Sequence, residues 1–80
     1  MPIPESLKKY FWDVDWDELN RQADRFEDFI VCRIADKGDG EAVRWLTRRF
    51  PAVRIADAVG RSRSVSGKTR CFWKRAAGYL

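Results

Sequence analysis

Apolar residues recur along this chain at intervals of three and four, and no segment alternates in the period-2 manner of a strand. Phe26, Phe29, Ile30, Arg33 and Ile34 keep the helical spacing and predict an amphipathic helix over 22–37. Gly38 is placed to end it in a left-handed cap. Asp39 can cap a further helix through Ala42, Val43, Trp45, Leu46 and Phe50, which Pro51 stops because the residue before proline leaves helical geometry. Pro51 also suits the start of the next helix, with Ile55, Ala56 and Val59 on its buried side and Gly60 at its end. Arg61–Val65 is a polar, basic connection, and Ser66 is a good cap for the last helix. There Thr69, Phe72, Trp73, Ala76 and Leu80 predict one apolar stripe. Before all these, Pro4 introduces a short helix over Glu5–Phe11, and the Asp15/Glu18 capping box predicts another around Trp16–Asn20. The expected fold is all-α: a small bundle of four main helices plus one or two short N-terminal ones, with residues 1–80 as a single helical domain.

Function classes fall away one by one. Histidine is absent, which removes the commonest general base and the commonest metal ligand. Cys32 and Cys71 lie in different predicted helices, and two reduced, buried thiols are expected. Asp13, Asp15, Asp17 and Asp24 fall at calcium-loop spacing, but Glu18 stands where such a loop needs glycine. Ser62–Thr69 approaches a phosphate-binding loop, yet Ser62 occupies a required glycine and no strand precedes it. The longest apolar run, Phe29–Cys32, stops at Arg33, too short to span a membrane, and the N-terminus lacks a secretory signal. A cytoplasmic, non-enzymatic protein without metal or cofactor is expected.

Charge changes the picture. Residues 1–40 carry six Lys/Arg against ten Asp/Glu, whereas residues 41–80 carry ten against two. No acidic residue follows Asp57, while Arg61, Arg63, Lys68, Arg70, Lys74 and Arg75 do. Those six are candidate contacts for nucleic acid or for an acidic protein. A solvated basic face, or attraction between the two halves of the chain, would explain them equally. The last two helices could form a helix-turn-helix, since Ala56 and Gly60 fall four apart as its small residue and turn glycine do. Arg61 then occupies a position that the motif prefers apolar, and Val65 comes one position early.

The opposite end is rich in aromatic rings. Tyr10, Phe11, Trp12 and Trp16 fall within seven residues, beside several carboxylates. Most of the chain's rings are expected in the core, but a helical bundle this small leaves some ring surface over. Tyr10, Trp12 and Trp16 are therefore candidate interface residues, to be covered by a partner or by a second copy in a homodimer.

YFWDVD at Tyr10–Asp15, Asp28–Ile30 leading to Lys37–Asp39, AVRWL at Ala42–Leu46, and RSRSVSGKTRCFW at Arg61–Trp73 together carry a resemblance. The chain resembles a family of small bacterial proteins of unknown function with an FWDVD-type opening and an "RSR.lS.kT..FW" ending. Members look like the small upstream partners of nucleotidyltransferase-type toxins. Cys32, Cys71 and Gly67 depart from the pattern, Gly67 standing where proline is common. The resemblance implies an antitoxin-like protein that docks onto a toxin-like partner. The alternative is a helix-turn-helix DNA-binding regulator using the basic C-terminal half.

Overall fold

The computed structural model describes residues 3–78, and every regular element among them is helical. A 3-10 helix, Glu5–Phe11, is followed by α1 (Trp16–Arg21), α2 (Glu27–Lys37), α3 (Gly40–Arg49), α4 (Ala52–Arg61) and α5 (Gly67–Ala76). The all-α bundle expected from the sequence is the fold observed.

Local chemistry sets most boundaries. The carboxylates of Asp15 and Asp39 accept from the backbone N–H groups of Glu18 and Ala42, at 3.1 and 2.9 Å, and the Ser66 hydroxyl accepts from that of Thr69 at 3.2 Å. Each satisfies a donor that the first helical turn would otherwise leave unpaired. Phe50 is extended before Pro51, as proline geometry requires.

The core runs through the middle of α2. Ile30, Val31 and Ile34 are fully buried and meet Ala42 and Leu46 of α3, Ile55 and Val59 of α4, and Leu7 and Phe11 of the 3-10 helix in one cluster. α2 packs against α3, α4 and the 3-10 helix, while α5 packs chiefly on α4.

Five expectations are corrected. α2 begins at Glu27 rather than 22, because residues 22–26 form the turn that reverses the chain and seats Ala23 in the core. Gly38 is extended, not left-handed; glycine is needed there for space, since a Cβ would stand 2.5 Å from the Ile34 carbonyl oxygen and 3.0 Å from the Ala42 Cβ. Gly60 lies inside the last turn of α4, which continues to Arg61. α5 turns a different edge inward: Trp73 is buried and Thr69, Arg70 and Ala77 partly so, whereas Phe72 and Ala76 are exposed. Leu80 lies outside the described residues. Finally, Cys71 is exposed and Cys32 only half-buried.

Candidate functional site

Arg33, midway along α2, organises the aromatic end of the molecule. Its Nη1 donates to the Tyr10 carbonyl oxygen and to Asp13 Oδ1, both at 2.8 Å, and Nη2 donates to Asp13 Oδ2 at 3.1 Å. The planar guanidinium matches the carboxylate with two parallel bonds, a geometry that fixes direction as well as distance. Its carbon lies 4.8 Å from the ring centre of Phe29, 5.0 Å from Trp12 and 5.9 Å from Phe11, so a cation faces three π-systems. The hydrogen bond from Arg33 holds the Asp13 carboxyl below its ordinary pKa. This one side chain sets the path of residues 10–13.

The consequence is an indole held in the open. Trp12 is 71% exposed although its neighbour Phe11 is buried. On one side lies a cleft of about 200 Å³ lined by Trp12, Phe29, Cys32, Arg33 and Val65. Nearby, Val14, Leu19, Phe26 and Phe29 line an apolar groove of about 280 Å³ with Asp15 and Glu18 at its edge. The three aromatic candidates separate here. Trp12 is presented outward, Trp16 is half-buried with its ring 6.1 Å from Phe11, and the half-buried Tyr10 uses its hydroxyl to accept from the Asp39 N–H at 3.1 Å.

The six basic candidates also separate. Arg61 pairs with Asp28 at 3.2 Å and Asp57 at 3.1 Å, and Arg70 donates to the Val65 carbonyl oxygen at 2.8 Å. Arg54 joins Arg61 in holding the halves together, donating to Glu27 at 2.8 Å and Asp28 at 2.6 Å. Its pKa is raised first by the Asp28 bond, against desolvation. Arg63, Lys68, Lys74 and Arg75 make no ion pair with the described residues. Part of the charge asymmetry thus closes the fold, and part faces water.

The serine-rich connection is a joint. Asp36 Oδ1 accepts from the Thr69 hydroxyl at 2.8 Å and the Ser66 hydroxyl at 3.3 Å, tying α5 to α2. Burial pushes the Asp36 carboxyl up, but Thr69, Ser66 and Lys37 outweigh it, and the net pKa is lowered. Cys32 donates its thiol to the Ala58 carbonyl oxygen at 3.4 Å, and burial raises its pKa, the neighbouring Ser62 hydroxyl opposing it. No group of three His, Cys, Asp or Glu side chains among the described residues is placed to hold a metal ion. No described helix is long and apolar enough to cross a membrane.

A family model covers residues 6–59, two thirds of the chain. The protein belongs to the DUF6922 family, a family of unknown function. The DUF6922 match spans the Arg33 network and the Val14–Phe29 groove and stops at Val59, short of the 62–66 connection, which closes one side of the cleft beside Trp12, and of α5. No curated protein and no solved structure matches this DUF6922 chain.

Proposed function

We propose that the protein is a non-enzymatic, antitoxin-like binding protein that acts by docking onto a partner protein, with Trp12 at the centre of the contact. The observation that carries this reading is the fixed, exposed indole. Trp12 is 71% exposed, yet a cation at 5.0 Å and the Arg33–Asp13 pair hold its surroundings. A large ring left in water costs hydration free energy that only a covering surface recovers. Because its surroundings are already ordered, less conformational entropy is lost when a partner arrives. Tryptophan beside an apolar groove is the usual composition of an energetic anchor at protein interfaces. Asp15 and Glu18 at the rim suit a partner with a basic surround.

The class of partner comes from the resemblance of YFWDVD and RSRSVSGKTRCFW to upstream partners of nucleotidyltransferase-type toxins. Co-expression with the product of the adjacent gene, followed by affinity capture, tests the reading. A stable complex is expected, and Trp12→Ala should weaken it by about thirty-fold or more, the equivalent of about 2 kcal/mol, while the helical circular dichroism is retained. An uncomplexed partner, or a complex indifferent to Trp12→Ala, rejects the proposal.

A further inference from the structure

α5 is held to the body by one edge only. Trp73 is its single buried side chain, with Thr69, Arg70 and Ala77 partly covered. The opposite edge carries Lys68, Cys71, Phe72 and Arg75, which at i, i+3, i+4 and i+7 form one continuous outward stripe, all exposed. Phe72 is 59% exposed, its ring set edge-on against Trp73 at 5.2 Å. Lys74 lies beside the stripe and Arg63 in the connection just before the helix, both exposed. None of these four cations is paired within the described residues, and no acidic side chain follows Asp57 in the sequence given.

We infer that α5 is a DNA-docking helix, presenting its Lys68–Cys71–Phe72–Arg75 stripe to the major groove of duplex DNA, with Lys68 and Arg75 at the ends of the stripe and Arg63 and Lys74 beside it all meeting phosphates along the groove walls. A ten-residue helix gripped along one edge leaves the rest of its circumference free, and the B-form major groove is wide enough to take it. Unpaired charges of a single sign match a polyanion, and displacing its counterions supplies the affinity. Phe72, central in the stripe, can make apolar contact with thymine methyl groups at the floor of that groove. The 62–66 connection has five residues, longer than the three or four of a helix-turn-helix, so the inference rests on the outward stripe and not on that motif. It is independent of the Trp12 reading: a complex that fails for want of Trp12 leaves the α5 result untouched.

The full chain is titrated into fluorescent DNA duplex, and into the matching RNA duplex, across a range of salt. Four phosphate contacts give log K against log salt a slope of about −3.6 for DNA. Lys68→Ala and Arg75→Ala should each reduce the magnitude of that slope by about 1. Arg61→Ala, a residue already engaged by Asp28 and Asp57, should leave it unchanged. Phe72→Ala should weaken binding without altering the slope. Bound DNA should also protect Cys71, but not Cys32, from alkylation mapped by peptide mass. RNA duplex should bind more weakly, since its deep, narrow major groove does not admit a helix. A flat salt response, RNA binding as tight as DNA, or α5 variants that behave like Arg61→Ala overturns the inference. So does the outcome in which DNA fails to bind and the same cations govern the complex with the partner protein, which would assign the face to an acidic protein surface.

Discussion

Trp12 and Phe72 are both large rings that reach into solvent from ordered backbone, yet their settings differ in kind. Trp12 sits in a polar scaffold, where Arg33 binds the Asp13 carboxylate and the Tyr10 carbonyl and faces three rings. Phe72 is carried on α5, held to the body along one edge by a buried indole, the partly covered Thr69, Arg70 and Ala77, and one carboxylate, Asp36, accepting from two hydroxyls. Around Trp12 the cations are consumed internally, so what remains for a partner is apolar surface with an acidic rim. Around Phe72 the cations are unspent, and what remains is apolar surface with a basic rim. The comparison shows that charge reports on function only after the pairs closing the fold have been subtracted.

The largest way to break this comparison is Trp73→Ala. Removing a buried indole should cost about 3–5 kcal/mol, measured by chemical denaturation. The loss should fall on α5 first, so the environment of Trp12, followed by its fluorescence in a variant also lacking Trp16 and Trp45, should change little. Arg33→Ala is the complementary case and smaller. It leaves the Tyr10 carbonyl without its donor and removes a stem packed among rings, for a loss of about 1–3 kcal/mol. Its effect on partner affinity should match that of Trp12→Ala, whereas DNA binding should survive. A variant that lost both would show that the two faces are one.

Acid sharpens the contrast least. Asp13, Asp36 and Asp39 all have carboxyl pKa values lowered from the ordinary 3.8. For Asp39 the Ala42 N–H bond is the main cause. A lowered folded-state pKa means that the unfolded chain binds protons more readily near that value, so stability rises with pH there. The contribution is fully present above the unfolded-state pKa and is lost as pH falls through the folded-state values. Thermal melts should therefore hold level from neutral pH down to about 5 and drop below about 4. A steep loss of stability between pH 6 and 8 would contradict this, as the chain contains no histidine.

The helices were legible because their punctuation is local. Asp15, Asp39, Ser66 and Pro51 act on backbone groups within three or four residues, and each stands at the boundary its chemistry predicts. The inward edge of α5 was not legible. Thr69, Phe72, Trp73 and Ala76 and the observed Thr69, Arg70, Trp73 and Ala77 are both helical stripes, and they differ by whether an arginine is allowed at the margin. Arg70 can lie there because its long stem covers apolar surface while its end donates to Val65. Gly38 was recognised as a boundary but for the wrong reason, since what excludes a side chain is the approach of Ile34 and Ala42 from two different helices. Arg33 gave no signal as an organiser, because its partners Tyr10 and Asp13 lie twenty or more residues upstream in the sequence, with no local pattern linking them. Tyr10, Trp12 and Trp16 were identifiable as a surplus of rings, but which of them faces water depends on that same arginine.

The single-edge seating of α5 has a kinetic corollary. Most of what holds the 3-10 helix, α3 and α4 is shared through α2, so their central backbone amides should exchange hydrogen with solvent only when the core as a whole opens. α5 can instead lift away and reseat as one cooperative unit, with Trp73 setting the frequency. Hydrogen exchange should therefore keep two clocks, a slow one for the interior and a faster one for the last helix.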